Sequence, residues 1–181
     1  GSLSAQVTRR IPAELPVALA GAAPIRRSDS KRMVELPRLR LLFDNGLGGF
    51  SEDGREYVIT TGLGQMTPAP WSNVLANPHF GTVISESGQA YTWGENAHEF
   101  RLTPWRNDPV SDGGGEAFYL RDEESGNFWS PTPLPKCGVT PYITRHGFGY
   151  SVFEHSEGGI HSELWIFVAL DASVKFTMLK F

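Results

Sequence analysis

From Leu39 to the end of the chain, apolar and polar residues alternate in short runs that glycine, proline, asparagine and serine interrupt. A period of two in runs rich in β-branched and aromatic residues is typical of strands with one buried face. The pattern predicts about ten strands and no helix. The strands are expected in LRLLFDNG, REYVIT, FGTVISE, QAYTW, EAFYLRDEESGNFWSP, YITRHGFGYSVFEHSEGGIHSELWIFVALD and VKFTMLKF. The stretches GLGGFSEDG and TPAPW are expected to be a surface loop and an extended connection.

Turn signals divide these runs into three hairpins, so the strands should be antiparallel. The turns are expected at SESG, at Glu124-Ser125-Gly126 and at Glu157-Gly158-Gly159. After the third turn, the residues Trp165 and Phe167 make the second side of the strand apolar, which predicts that this half is covered on both faces. In GYSVFEHS, Tyr150, Val152 and His155 could share a face only with a bulge, but Tyr150, Val152 and Phe153 are residues typical of strands. The fold class is therefore all-β, an antiparallel β-sandwich.

The beginning of the chain differs from the rest. Residues 1–38 have no sustained period and start with Gly-Ser, which indicates a cloning remnant followed by a linker that is poorly ordered or peripheral. Residues 1–40 hold eight basic and three acidic residues. This segment is interpreted as a solvated connector, with acidic lipid headgroups or another domain as alternative contacts. The sandwich is expected to span 39–181 and to be incomplete, because VKFTMLKF stops without a turn or polar tail.

Composition excludes several classes of function. The 181 residues suffice for one domain with a sizeable core, and a net charge of -4 gives no reason to expect nucleic acid as a partner. The single cysteine, Cys137, allows no intrachain disulfide, and a catalytic thiol would need a base to activate it. No apolar run is long enough to span a membrane, and no signal peptide pattern is present.

The titratable residues do not form a recognisable catalytic or metal motif. Several carboxylates lie near one another, as in RDEESG, but this stretch is better explained as a solvated turn than as the acid pair of a glycosidase. His155 and His161 flank a turn without the tight spacing of a metal site. We therefore expect neither a metal nor a cofactor.

The tryptophans and the loop WRNDPVSDGGG carry the main binding chemistry. Trp71 and Trp129, each next to a proline, are expected to close the ends of the core. Trp93 and Trp105 lie among planar polar side chains, and sugars stack their C–H faces on such rings while their hydroxyls bond polar neighbours. The candidates for carbohydrate binding or domain contact are Trp93, Trp105, Arg106, Asn107, Asp108 and Asp112. They are expected at one end of the sandwich, with Asp112 closing the turn and the flanking prolines stiffening the loop.

Five of these stretches also carry a resemblance to a known family. They are GREYVI, TPAPWSNVLANPHFGTVISESGQAYTW, LTPWRNDPVSD, EAFYLRDEESGNFWSP and RHGFGYSVFEHSEGGIHSEL. In order and spacing they resemble the N-terminal part of the cellobiose phosphorylase family, and more closely the phosphorylase-like region of cyclic β-1,2-glucan synthases. The resemblance covers about residues 41–181. It implies a galactose mutarotase-like super-sandwich that precedes an α/α-barrel, and the catalytic acid of the family lies in that barrel. No catalytic residue carries over to this chain.

The resemblance implies a non-catalytic sandwich domain of a glycan phosphorylase or cyclic β-1,2-glucan synthase. Its expected partners are a weakly bound β-glucan oligosaccharide, the catalytic α/α-barrel of the same parent chain, and a second copy in a homodimer. It also implies a location on the cytoplasmic side, with attachment of the parent to the inner membrane as an option. Two alternatives stay open: an autonomous carbohydrate-binding module, with a cleft lined by Trp93 or Trp105, and an enzyme that uses acids such as Glu154 and Asp108.

Overall fold

The computed structural model describes residue 37, residues 39–106, residue 110 and residues 112–181, all within one compact unit, Val34–Phe181. This part of the chain forms eleven strands and no helix. The strands are β1 (Gly48–Phe50), β2 (Glu56–Thr61), β3 (Ser72–Asn77), β4 (Phe80–Ser85), β5 (Ala90–Gly94), β6 (Leu120–Arg121), β7 (Phe128–Trp129), β8 (Tyr142–Gly147), β9 (Tyr150–Glu157), β10 (Ile160–Val168) and β11 (Lys175–Lys180). A membrane-spanning helix is accordingly not found among these residues. The linker predicted for residues 1–38 lies outside them except for residue 37.

Two antiparallel sheets form the body of the molecule. The large sheet has six strands in the order β1-β2-β8-β9-β10-β11, and the small sheet has three in the order β3-β4-β5. The two sheets pack face to face, mainly through β3 and β4 against β10. The strands β6 and β7 form a separate two-stranded ribbon. The prediction of an antiparallel all-β sandwich is confirmed.

The predicted hairpins occur where the turn signals place them. Gly88, Gly126, Gly158 and Gly159 all have positive φ in the three turns. The pairing of β9 with β10 is regular from Glu157–Ile160 to Tyr150–Phe167. The strand β9 therefore has no bulge, and strict alternation directs Tyr150 to the face opposite His155.

Three features of the sheets differ from the predictions. The segment LRLLFDNG supplies only an isolated bridge, Leu42 to Phe50, whereas β1 lies in the stretch predicted to be a loop. Glycine is needed there because a Cβ at Gly48 would lie 2.5 Å from the Val58 carbonyl oxygen. The strand β3 was not predicted. A further turn at Phe148-Gly149 separates β8 from β9.

The apolar core lies between the two sheets and is small. A cluster of buried side chains takes Leu75, Ile84 and Ala90 from the small sheet and Phe153, Leu164 and Ile166 from the large one. On the opposite face of β10, the residues Trp165 and Phe167 are half-buried, so the predicted cover on both faces is only partial.

Tryptophans border this core at two places. The side chain of Trp129, in β7 of the two-stranded ribbon, is 4% exposed and therefore buried. Trp71 is only half-buried and contacts Tyr57 edge to face, with 5.9 Å between the ring centroids. Trp129 therefore contributes far more completely to the interior than Trp71 does.

Side-chain amides of β3 join the sheets at both ends of the strand. Asn73 Nδ2 donates to the carbonyl oxygens of Gly147 and Tyr150, both at 3.0 Å, in the β8–β9 hairpin. Asn77 Nδ2 donates to the carbonyl oxygens of Ala169 and Ala172, both at 2.8 Å, between β10 and β11. Directed bonds of this kind fix the position of one sheet over the other, which apolar contacts alone do not.

A chain of hydrogen bonds leads from the Asn73 side chain to the backbone carbonyl of Trp71, the residue just before β3. Asn73 Nδ2 also contacts Ser151 Oγ at 3.2 Å, and Ser151 lies 2.9 Å from His146 Nδ1. His146 Nε2 lies 3.0 Å from the Trp71 carbonyl oxygen and must donate to it. His146 Nδ1 is then the acceptor for the Ser151 hydroxyl, so the network holds the neutral imidazole. Burial lowers the pKa of His146 to about 4, although the Trp71 carbonyl acts in the opposite direction.

We expect Asn73→Ala to destabilise the sandwich by roughly 1–3 kcal/mol, because it removes the two hydrogen bonds from the Asn73 amide to backbone carbonyls of the β8–β9 hairpin. Urea unfolding followed by fluorescence measures the change. Val74→Ala is the matched control, since Val74 is the next residue of β3 and is 61% exposed. Equal stability of the two variants would contradict the role assigned to Asn73.

The pH dependence of stability should carry the signature of His146. Its folded pKa of about 4 lies below the usual value of 6.5, so the unfolded chain binds the proton more readily. The contribution is present above pH 6.5 and is lost as the pH falls towards 4, by about 3 kcal/mol at most. His146→Gln should flatten the unfolding free energy over this range relative to wild type. Parallel curves for the two proteins would show that His146 does not titrate in this way.

Candidate functional site

The outer face of the small sheet carries an aromatic platform. In β5 the side chains alternate, so that Thr92 points to the core while Tyr91 and Trp93 point outward. Trp93 lies over Gly81 of the neighbouring strand, where an added Cβ would be 2.3 Å from the indole ring. The rings of Tyr91 and Trp93 are adjacent, with 5.4 Å between their centroids.

The chain after β5 returns along this strand and brings Trp105 onto the platform. Leu102 N donates to the Thr92 carbonyl oxygen at 2.8 Å, and Thr92 N donates to Thr103 Oγ1 at 2.8 Å. Trp105 then stacks on Tyr91 with 5.1 Å between centroids and 20° between planes. The guanidinium of Arg101 lies 5.0 Å from the centroid of the Trp105 ring. Trp105 is nevertheless 42% exposed, so part of its side chain stays accessible beside these two contacts.

Beside this platform lies a cleft of about 340 Å³. This volume is at the lower end of the range of about 300–1,000 Å³ found for small-molecule sites. The segment before β3, the strands β4 and β5, and the loop that follows Trp105 form its walls. The lining residues are Ala69, Pro70, Ser72, Val83, Ser85, Gln89, Ala90, Tyr91, Pro104, Trp105, Asp112, Gly113 and Gly114.

Two polar side chains of the cleft wall are held in defined positions. Asp112 has a left-handed backbone (φ 46°), and its carboxylate accepts the hydroxyls of Ser85, at 2.6 Å, and Ser87. Gln89 is 9% exposed, and its Oε1 accepts Gly114 N at 3.1 Å. The Nε2 of Gln89 is buried and has no hydrogen-bond partner in the described structure. A buried donor without an acceptor is rare and costly.

A buried carboxyl group fixes the opposite wall. Glu86 accepts the hydroxyl of Thr67 and the backbone N–H of Trp71, the latter at 2.8 Å, and its own N–H donates to the Trp71 carbonyl oxygen. The segment Thr67–Trp71 is therefore attached to the β4–β5 hairpin. Burial raises the pKa of Glu86, and the charge of Asp112 acts in the same direction.

A second cavity of about 210 Å³ adjoins the cleft and shares Ala69, Pro70 and Asp112 with it. Met66, Leu134 and other apolar residues make up much of its lining. Cys137 also lines it. Burial raises the pKa of the Cys137 thiol, and the carboxylate of Glu157 adds to this effect. The reactive thiolate is therefore disfavoured.

The structure brings some of the predicted site residues together. Trp93, Trp105 and Asp112 lie around the platform and the cleft, on the outer face of the small sheet rather than at an end of the sandwich. Arg106 is exposed near Gly113. The candidates Asn107 and Asp108 lie outside the described residues, as does Pro109.

Other residues of the cleft were not predicted from the sequence. Tyr91 supplies the ring on which Trp105 stacks, and Gln89 supplies the amide donor without a partner. The alternation in QAYTW places Gln89, Tyr91 and Trp93 on one face and could have identified them. Ser85 and Ser87, which hold Asp112, gave no distinct sequence signal.

The alternative chemistries find little support in the described part of the chain. His155 is buried on the inner face while His161 lies on the outer face, and no group of three or more metal-binding side chains occurs among these residues. Glu154 bonds Arg145 at 2.7 Å on the outer face of the large sheet and lines neither of the two cavities.

Comparison with known proteins gives a consistent result. The family model of the glycosyl hydrolase 94 supersandwich domain matches residues 55–181. The chain is 42% identical over 140 residues to the cyclic β-(1,2)-glucan synthase NdvB of Rhizobium meliloti (strain 1021), covering 77% of this chain and 5% of that protein. It is 39% identical over 124 residues to the N,N'-diacetylchitobiose phosphorylase of Vibrio proteolyticus, covering 67% and 15%. It is 33% identical over 138 residues to the solabiose phosphorylase of Paenibacillus borealis, covering 72% and 17%.

Proposed function

Since the chain belongs to the glycosyl hydrolase 94 supersandwich family, we propose that it is a non-catalytic domain that binds a β-glucan oligosaccharide weakly and docks to other parts of its parent protein. The observation that carries the sugar proposal is the cleft beside the stacked rings of Tyr91 and Trp105. An exposed indole with carboxylate and amide groups at its side matches the two surfaces of a glycosyl unit. The affinity should be about millimolar, because stacking on one ring contributes only a few kcal/mol.

The non-catalytic role is supported by how the acids of the cleft region are held. Glu86 and Asp112 both accept hydrogen bonds from neighbouring donors, and these bonds attach segments of the fold. The chain spans only 5 to 17% of the length of the three relatives described above. We propose that the chemistry belongs to a catalytic α/α-barrel elsewhere in a parent protein that transfers or phosphorolyses β-glucosyl units on the cytoplasmic side.

Docking is supported by the outer face and the edge of the large sheet. Among the described strands, β11 has β10 as its only neighbour. Phe176 and Met178 of β11 are 47% and 42% exposed, and Phe176 stacks on Phe167 of β10 with 5.1 Å between centroids. An apolar face next to an open strand edge is a common site of strand addition or packing. We propose that a further segment of the same parent polypeptide covers it, with a second copy of the chain as the alternative occupant.

Titration of β-1,2-linked gluco-oligosaccharide against tryptophan fluorescence tests the sugar proposal. Wild type should respond with a Kd of about 1 mM, and Trp105→Ala should abolish the response without lowering Tm by more than a few degrees. Phe148→Ala is a suitable control, since Phe148 is 85% exposed in the β8–β9 turn and should leave binding unchanged.

Two outcomes of this titration separate the alternatives. No response in wild type, together with a clear loss of stability in Trp105→Ala, would assign Trp105 a structural role and end the sugar proposal. Millimolar binding by this chain alone would agree with an autonomous module as well, so the docking proposal needs its own measurement.

Hydrogen exchange of β11 tests docking. In this chain the β11 amides that do not bond β10 should exchange rapidly, whereas in the full parent protein they should be protected, because a neighbouring segment pairs with them or excludes water. The β9 amides, paired on both sides, serve as the control. Equal exchange of β11 in the two proteins would contradict docking at this edge, and concentration-dependent protection in the isolated chain would favour a dimer.

A further inference from the structure

The unpartnered amide of Gln89 defines one requirement for the ligand of the cleft. Gly114 N–H needs an acceptor, which assigns the amide oxygen to that side and leaves Nε2 with two hydrogens and no partner. Gln89 is 9% exposed and its Nε2 is closed to solvent, so an acceptor reaches this donor only when the side chain moves slightly towards the cleft. A ligand that fills the cleft beside Gln89 gains affinity if it offers an acceptor oxygen there.

Asp112 defines a second requirement. Its carboxylate lines the cleft and already accepts two hydroxyls, from Ser85 and Ser87. An ionised carboxylate can accept further hydrogen bonds but cannot donate any. It therefore favours ligand groups that carry hydrogen, such as hydroxyls, and repels a second anion.

The positive charges nearby do not reverse this preference. Arg101 lies over the Trp105 ring, and its Nε donates to the Ala97 carbonyl oxygen. Arg101 and Arg106 are both exposed, where solvent and salt screen them. Glu86 contributes negative charge of the same sign as Asp112 whenever it ionises. The wall of the cleft therefore combines one free donor with one anionic acceptor.

We propose that the cleft selects an uncharged glycosyl unit with free hydroxyls, which accepts a hydrogen bond from Gln89 Nε2 and donates to Asp112, and that Asp112 excludes uronic acids and sugar phosphates. This inference rests on the proposed function, since it concerns the same cleft. A hydroxyl both donates and accepts, so a neutral sugar meets both requirements at once. A carboxylate or phosphate in the same place would bond Gln89 but would face the charge of Asp112.

Calorimetric titration with two matched ligands tests the selection. The neutral ligand is a β-1,2-linked glucose disaccharide, and the anionic one carries glucuronic acid as its non-reducing unit. Wild type should bind the neutral ligand about tenfold more tightly. Asp112→Asn should bring the ratio close to one, chiefly by improving binding of the acid. Asparagine tolerates the left-handed backbone and keeps an acceptor for Ser85 and Ser87.

A second variant tests the donor. Gln89→Glu keeps the acceptor for Gly114 N–H but replaces Nε2 by oxygen, so it should weaken binding of the neutral disaccharide about fivefold or more. Glu123→Gln controls for net charge, because it removes one negative charge at an exposed turn outside both cavities and should leave both affinities and their ratio unchanged.

The outcomes distinguish this inference from the function on which it rests. Sugar binding that depends on Trp105 but shows equal affinity for the two ligands, or an unchanged ratio in Asp112→Asn, would overturn the selection and leave the sugar site standing. Unaltered binding in Gln89→Glu would overturn the role of the amide. Absence of binding of either disaccharide to wild type would overturn both proposals.

Discussion

The position of the two sheets over each other depends on hydrogen bonds from inner-face side chains to backbone carbonyls. The buried apolar cluster is small, and polar residues such as Thr82, Thr144 and Ser151 occupy much of the remaining interface. Buried polar groups must be paired, so each of them restricts the geometry more than an apolar contact does. Asn73 and Asn77 impose this restriction at the two ends of β3. These bonds therefore also set the position of the outer face of the small sheet, where the cleft lies.

Thr92 connects the strand beside the cleft to a hydrogen-bonded group in the interior. Thr92 lies between two outward-facing rings of β5, and its hydroxyl takes part in a group with Glu116 and Lys175. Burial raises the pKa of Glu116, but the Lys175 ammonium and the hydroxyls of Thr92 and Thr103 outweigh it and hold the pKa below its usual range. Since Lys175 is the first residue of β11, one ion pair joins the edge of the large sheet to the chain that borders the cleft.

The sequence pattern predicted those parts of the fold that depend on interactions between residues close together in the chain. Turns with glycine at positive φ and strands with strict alternation were predicted, because their signals lie within a few residues. The strand β3 was missed because SNVLAN follows prolines, and because its two asparagines act as inner-face donors that look like loop residues in the sequence. The platform was half predicted: Trp93 and Trp105 stood out as aromatics, whereas Gln89 matters only because Gly114 and the cleft wall bury it. Burial and unmet hydrogen bonds arise from tertiary contacts and have no sequence pattern.

The two outer faces of the sandwich differ in chemistry, which bears on how the proposed sugar binding and the proposed docking can coexist. On the large sheet, Arg145 bonds Glu154 at 2.7 Å and also lies near Glu56 and Glu163. This network borders the aromatic side chains of β10 and β11, so the face combines exposed rings with ions that each have a partner of opposite charge. Such a surface can be covered by protein without leaving an unpaired ion. The cleft lies on the opposite outer face, beyond the small sheet. A sugar in the cleft and a polypeptide on the large sheet would therefore not compete for space.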